Sequence, residues 1–286
     1  MKPVRIALFA PGSNERVMTK ALDSGADAVI LDLEDSVALA AKAEARVQVA
    51  KVIDQVAAGG KARPAIFVRV NGAATGLMKD DLAAIVRPGL DAVMLPKAET
   101  TAEVKELAAA LDKVNAEIIL QIESALGVYR CFELIKASPR VASTCIGGAR
   151  DGDLQTDLGA GWSIEGTELL YARSKVLLDS RAAGVAFPLD GVFSDLNDEA
   201  GLVADTRLSA RLGYVGRTVI HPKQIAPVQG AYAVPQEEVA YYQKVVTEFQ
   251  AAEKTGVGAI TVNGKLVDYA MFQRAQRVLA LAKLDA

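Results

Sequence analysis

Apolar positions along the chain fall into two alternating textures. Short, nearly continuous apolar runs at 4–10, 28–31, 65–68, 91–95, 118–122, 143–147, 185–189 and 217–220 read as strands buried on both faces, the habit of parallel strands. Between them, stretches at 15–24, 44–58, 165–183 and 198–212 carry apolar residues at helical spacing. In 44–58, Val49, Val52, Ile53 and Val56 fall on one helical face. Thr100 and Glu103 form a capping box ahead of the stripe Val104, Leu107, Ala108 and Leu111. Gly25, Gly59-Gly60, Gly184 and Gly213 stand where these helices stop. Eight strands alternating with helices, each strand followed by polar or glycine-rich residues, predict an α/β fold: a (β/α)8 TIM barrel rather than an open doubly wound sheet.

The last part of the chain exceeds what closing a barrel needs. Residues 235–256 read as a helix with Val239, Tyr242, Val246 and Phe249 on one side. Residues 259–267 read as a hairpin turning at Asn263-Gly264, a pair suited to a type I′ turn. A final helix follows Asp268, with Met271, Ala275, Val278, Leu279 and Ala282 as its buried stripe. The expected organisation is a barrel over 1–230 and a C-terminal helix–hairpin–helix lid over 231–286. Such a lid covers the barrel mouth of its own subunit or of a neighbour, and it excludes water.

Charged residues collect where the strands end. Asp32, Glu34 and Asp35 follow the second strand, Arg69 and Asn71 the third, Pro96-Lys97 the fourth and Glu123 the fifth; Asp153 follows the sixth. In α/β barrels the C-terminal strand ends carry the chemistry, and neighbouring strands five and six can aim Glu123 and Asp153 at one point. Two hard oxygen ligands, with the remaining positions left to water and substrate, suit Mg²⁺. An acid after a strand also serves as a helix cap. Glycines at 147, 148, 152, 159 and 161 around Asp153 indicate close backbone approach. The acids after strand two repel one another unless a cation answers them. Arg69 either holds a substrate carboxylate or thioester oxygen, or pairs with Glu34 or Asp35 as a structural bridge.

Composition narrows the classes. At 286 residues and 51% hydrophobic, the chain can bury a large core. Lys plus Arg number 32 against 35 Asp plus Glu, a balance that argues against nucleic acid as the main partner. Cys131 and Cys145 suggest neither a disulfide nor a zinc site, so a reducing cytoplasm is the expected compartment. No run of about eighteen apolar residues occurs, and no membrane span or signal peptide is expected. The single histidine, His221, excludes multi-histidine metal sites and leaves little room for a histidine-based triad. Its His-Pro setting after the last strand reads as a loop-fixing role.

Seven segments then form an ordered set: Leu8-Phe9-Ala10-Pro11-Gly12-Ser13-Asn14, Asp32-Leu33-Glu34-Asp35-Ser36-Val37, Arg69-Val70-Asn71, Pro96-Lys97, Ile122-Glu123-Ser124, Asp153-Leu154-Gln155-Thr156-Asp157-Leu158-Gly159 and Ile220-His221-Pro222-Lys223-Gln224. Together they resemble the HpcH/HpaI aldolase superfamily, and within it the citrate lyase beta-subunit-like and malyl-CoA lyase-like CoA-ester lyases. The resemblance implies an oligomeric TIM barrel, trimer or hexamer, that uses Mg²⁺ to cleave a 3-hydroxyacyl-CoA into acetyl-CoA and a 2-oxo acid. It assigns Glu123 and Asp153 to the metal, with Glu123 beside the substrate, and Arg69 to the oxo acid and the thioester enolate. Arg5, expected at the mouth of strand one, matches the CoA-binding region. Asp268 matches a lid acid that transfers a proton across a subunit boundary. The stretch from Gly147 to Asp153 is longer than the usual Gly-x-x-Asp-Leu and offers Asp151 as a rival ligand; Leu154 and Asp157-Leu158-Gly159 favour Asp153. The resemblance leaves two alternatives: a Mg²⁺ aldolase of free 2-oxo acids, and a subunit working only in a complex with an acyl carrier protein. The lid favours a stand-alone enzyme.

Overall fold

The computed structural model describes residues 3–59 and 63–283. Contacts divide the chain into two compact units, Met1–Ala231 and Tyr232–Ala286. In the first, eight parallel strands close into a barrel in sequence order: β1 (Ile6–Pro11), β2 (Ala28–Asp32), β3 (Ala65–Arg69), β4 (Ala92–Leu95), β5 (Glu117–Ile122), β6 (Val141–Ile146), β7 (Leu189–Asp190) and β8 (Gly216–Val219), with β8 pairing back to β1. The helices are α1 (Glu15–Leu22), α2 (Lys42–Ala58), α3 (Met78–Ile85), α4 (Thr101–Ala110), α5 (Ala125–Lys136), α6 (Asp153–Leu158), α7 (Leu170–Ala183), α8 (Glu199–Leu212) and α9 (Ile225–Tyr232). This is the TIM barrel the apolar pattern predicts. Gly60, expected with Gly59 to end α2, lies outside the described residues.

Side chains alternate across a strand with period two, and that alternation connects the core to the mouth. Ala28 and Ile30 of β2, Phe67 of β3, Ile119 of β5 and Cys145 of β6 belong to one buried cluster inside the barrel. Stepping two residues onward along each strand reaches Asp32, Arg69, Gln121 and Gly147, and Glu123 follows Gln121 on the same face. Register then sets neighbours: Asp32 pairs with Arg69, and Ile122 with Ile146. The apolar interior therefore leads up to a polar ring at the C-terminal end.

Four local expectations change. The run 185–189 forms a strand only at Leu189–Asp190, because Pro188 has no N–H to give a ladder. Its carbonyls find other donors: Arg181 reaches the carbonyls of Val185 and Ala186, and Ser143 Oγ donates to Phe187 O at 2.7 Å. Helix α3, which the apolar pattern missed, buries Met78, Asp81, Leu82 and Ile85. Asp81 hides the stripe, yet its carboxylate is fully used by Arg46 Nε, Asn71 N and Asn71 Nδ2, each at 2.7 Å. Helix α7 starts at Leu170 rather than Glu165, after Gly166 turns with φ 64° and Glu168 accepts from Ser163. Asp153 does not end a strand: β6 stops at Ile146, and Asp153 opens α6 after the loop 147–152.

Behind β7 and β8 lies a buried ionic cluster. Arg173 pairs with Asp190, and at 2.8 Å with Asp205, while Arg217 meets Asp205 at 2.8 Å and gives Nε and Nη2 to Gly191 O. Burial works against the charged form of Asp205, but Arg217 and Arg173 hold its carboxyl below the usual range.

The second unit contains α10 (Gln236–Glu253), the antiparallel pair β9 (Ile260–Val262) and β10 (Lys265–Val267), and α11 (Tyr269–Ala282). Asn263 at φ 48° and Gly264 at φ 76° make the left-handed turn that their sequence announces. Val245, Phe249, Val262, Val267, Phe272 and Ala275 form its core. Phe272 takes the place expected of Met271, which is exposed. Among the described residues no helix is long and apolar enough to cross a membrane.

Candidate active site at the barrel mouth

Asp32 is the anchor of the mouth. It accepts four hydrogen bonds: Arg69 Nε at 2.7 Å, Arg69 Nη2 at 2.8 Å, Glu34 N at 3.0 Å and Ser36 N at 3.1 Å. Burial opposes its charge, but Arg69 and these donors hold its carboxyl below the usual range. The pairing expected for Arg69 was with Glu34 or Asp35; the bidentate partner is Asp32. The guanidinium also stacks on Phe9, 4.7 Å from the ring centre, and Nη1, the nitrogen not spent on Asp32, lies 3.1 Å from Glu34 Oε2. That approach is off the hydrogen-bonding angle, so Glu34 Oε2 is buried without a donor.

The acid cluster after β2 is thus answered by Arg69 and Lys97, with Lys42 bracing its backbone. Besides Arg69, Lys42 Nζ holds the carbonyls of Leu33 and Glu34 at 2.8 and 2.9 Å, and Lys97 Nζ meets Glu34 Oε1 at 2.8 Å. Burial, first, still pushes the Glu34 carboxyl above its ordinary value.

Glu123 leaves the end of β5 and is 4% exposed. Its Oε1 accepts from Lys97 N at 3.0 Å and its Oε2 from Gln121 Nε2. Burial, and then the nearby Glu34 charge, push its carboxyl up to about 7. Gly147, beside it just past β6, has no room for a side chain: a Cβ there would stand 2.4 Å from Glu123 Cβ and 3.0 Å from Oε2. Asp153, on the first turn of α6, meets Lys97 Nζ at 3.2 Å. The loop is braced from below, since Asp157 Oδ2 accepts Ala125 N at 2.7 Å and Ser124 caps α5.

Phe9, Arg69, Gln121, Glu123, Gly147 and Asp153 line one cavity of about 220 Å³. The rival Asp151 is exposed, at φ 58°, faces Arg150 at 3.7 Å and does not line that cavity. Geometry therefore favours Asp153. Among the described residues no three His, Cys, Asp or Glu side chains gather as a metal-ready group; the hard-oxygen donors facing the cavity from β5 and α6 are Glu123 and Asp153. Their chemistry, and the orphaned buried oxygen Gln121 Oε1 on the same cavity, fit a small divalent cation that keeps much of its shell for water and substrate.

Other expected residues fall elsewhere. Arg5 is a correction: it precedes β1 at the N-terminal end of the barrel, opposite the mouth. There it is buried, donating Nη1 to Val215 O at 2.9 Å and its backbone N to Asp27 Oδ2 at 2.8 Å. In a parallel barrel a residue that precedes its strand lies at the N-terminal end, so its place before Ile6 carries Arg5 away from the mouth. Asp268 lies in the second unit, where its carboxylate accepts Met271 N at 3.0 Å and caps α11. His221 Nδ1 accepts Lys223 N at 3.1 Å and fixes its turn, as its context suggested. Cys131 and Cys145 are free and buried, and burial pushes both thiols up to about 12. Sequence reasoning gave no role to Lys97 or Gln121. The Pro96-Lys97 pair was the available signal for the first; the period-two step before Glu123 was the signal for the second.

Known proteins resemble this chain along nearly its whole length. Residues 5–222 match the HpcH/HpaI aldolase/citrate lyase family, and residues 175–285 match a C-C bond lyase family of the TIM-barrel fold. A citrate lyase subunit beta of Leuconostoc mesenteroides subsp. cremoris is 37% identical over 290 residues, covering 98% of this chain and 94% of the relative. The human mitochondrial citramalyl-CoA lyase is 31% identical over 301 residues, covering 98% and 86%. The crystal structure of CitE from Mycobacterium tuberculosis, in complex with magnesium, acetoacetate and coenzyme A, superposes with a TM-score of 0.79 at 30% identity, covering 99% of each chain. A barrel with this mouth and these relatives belongs to the HpcH/HpaI aldolase/citrate lyase family.

Proposed function

We propose that this chain is a Mg²⁺-dependent carbon–carbon lyase that cleaves a 3-hydroxyacyl-CoA of the malyl-, citramalyl- or citryl-CoA type into acetyl-CoA and a 2-oxo acid, reversibly. The observation that carries this reading is the convergence of Glu123, Asp153 and Arg69 on one cavity. Glu123 and Asp153 hold the metal, which when bound supplies a Lewis acid for the substrate hydroxyl and its neighbouring carboxylate. Asp32 fixes the guanidinium of Arg69 by two bonds, so its positive charge is in place before charge develops on the thioester oxygen. Phe9, under the guanidinium, removes water from its other face. As the carbon–carbon bond breaks and the hydroxyl becomes a carbonyl, the hydroxyl proton leaves to water and Asp268, from a neighbouring subunit of a homo-oligomer, delivers a proton to the departing carbon, taking it back in the condensation direction.

A second reading is favoured by one observation, the 37% identity to a protein named citrate lyase subunit beta. In it, the chain acts as a subunit beside an acyl carrier protein. Purified protein incubated with malyl-, citramalyl- and citryl-CoA separates the two. Mass-spectrometric appearance of acetyl-CoA from one thioester, abolished by a chelator and restored by Mg²⁺, supports the stand-alone lyase. Intact thioesters throughout, with turnover only after addition of a carrier-bound substrate, favour the subunit.

A further inference from the structure

Lys97 stands out among the residues the chemistry above leaves idle. It is one of three non-glycine residues with positive φ among those described, at 49°; the others are Asn263 in its hairpin and the exposed Asp151. A lysine in the left-handed region carries a conformational cost, which persists where the surroundings impose it. Here the surroundings are the two candidate ligands. The turn at Lys97 points its backbone N–H at Glu123 Oε1, 3.0 Å away. The same residue sends its side chain back across the mouth, placing Nζ 2.8 Å from Glu34 Oε1, 3.2 Å from Asp153 Oδ2 and 3.7 Å from Asp35 Oδ2. One residue thus holds both carboxylates, one by its backbone and one by its ammonium.

We infer that Lys97 is the positioning residue of the metal centre: its amide aims Glu123, and its ammonium occupies the cation's side of Asp153 until metal arrives. This rests on the assignment of Glu123 and Asp153 as ligands. Asp153 Oδ2 becomes available to a divalent cation only when the ammonium leaves it, and Glu34 Oε1 is the partner on which the ammonium stays. Glu34 is itself held beside Arg69 Nη1, so the ammonium moves between two fixed anions rather than into solvent. In the metal-free protein the arrangement prevents Asp153, Glu34 and Asp35 from repelling one another apart. Metal uptake is therefore an exchange of cations, and its apparent affinity is lowered by the ion pair it breaks.

Isothermal titration of Mg²⁺ into metal-free wild type, Lys97→Met and Lys42→Met, with thermal unfolding of each metal-free protein, tests the inference. Lys42 carries the same charge on the same rim but binds the carbonyls of Leu33 and Glu34 instead of Asp153. Lys97→Met binds Mg²⁺ at least about threefold more tightly, the scale of a partly exposed ion pair. It also melts earlier without metal and gains more on metal addition, while Lys42→Met changes affinity by less than half as much. Unchanged or weaker Mg²⁺ binding by Lys97→Met overturns the inference, as does an equal effect of Lys42→Met, which reduces it to a general field. If Lys97→Met fails to fold, Lys97→Gln carries the same expectation. Wild type that takes up no Mg²⁺ at all sinks the ligand assignment itself, an outcome distinct from a wild type that binds and variants that do not differ.

Discussion

Gly147→Ala is the sharpest perturbation of the site, because it changes no charge and no hydrogen-bonding group. Gly147 is not among the positive-φ glycines, so alanine meets no left-handed backbone penalty there. The new Cβ, however, stands 2.4 Å from Glu123 Cβ, 3.0 Å from Oε2 and 3.3 Å from Cα. Carbon atoms rest at about 3.5–4.0 Å, so the overlap with Cβ exceeds ~1 Å. Glu123 Cβ sits next to the backbone of β5 and has no rotamer that clears it. Overpacking of this kind costs ~1–3 kcal/mol of stability. A carboxylate moved by about 1 Å costs on the order of 10²-fold in turnover and roughly 10–100-fold in metal affinity. The assay is Mg²⁺ titration with acetyl-CoA release, alongside urea unfolding. Gly161→Ala is the internal control, since nothing lies within 4 Å of its Cβ position. If Gly147→Ala binds Mg²⁺ and turns over like wild type, Glu123 is not held where the metal centre needs it.

Three further outcomes are expected. Arg69→Lys keeps the charge but loses the two-point attachment to Asp32; turnover falls by about 10²-fold, and steady-state kinetics that match wild type would refute its role. Asp268→Asn retains the α11 cap, because asparagine caps as well as aspartate; melting temperature and Mg²⁺ binding stay put while turnover drops by ~10²–10⁴-fold, and undiminished turnover removes Asp268 from the mechanism. Asp205, whose carboxyl lies below its ordinary 3.8 in the fold, contributes stability that is complete above that value and is lost as pH falls through the folded value; Asp205→Asn lowers stability at pH 7 and flattens the acid limb measured by denaturant unfolding from pH 6 to pH 2, and parallel curves would exclude the linkage.

Much of this architecture is legible in the sequence because barrel strands are buried on both faces and helices on one, so the two textures differ in length and period. Glu123 is legible for the same reason, as the acid that ends a nearly continuous apolar run. What escapes has a physical cause in each case. Asp81 hides α3 because a buried, fully bonded carboxylate looks like a surface residue in a stripe. Run 185–189 reads as a strand because it is apolar, but Pro188 lacks the N–H for a ladder and side chains satisfy the carbonyls of Val185 and Phe187 instead. Lys97 escapes because its place depends on a left-handed turn that its residue type does not advertise. Arg5 lies away from the mouth because it precedes β1, and in a parallel barrel chain direction puts such a residue at the N-terminal end.

The shortness of β7 has a consequence for where this barrel opens. A single register pair, Cys145 with Leu189, joins it to β6, and two pairs join it to β8. The other staves are sewn with longer amide ladders; this one is riveted from behind by Arg173, Asp190, Asp205 and Arg217. Gly191 and Val192, immediately past the rivets, line the mouth cavity. The wall is thus continuous in charge where it is thin in hydrogen bonds, and amide exchange should enter the barrel at this seam before it reaches β2 or β5. A fault in the rivets would be felt first as a gap beside the substrate, long before the barrel as a whole came apart.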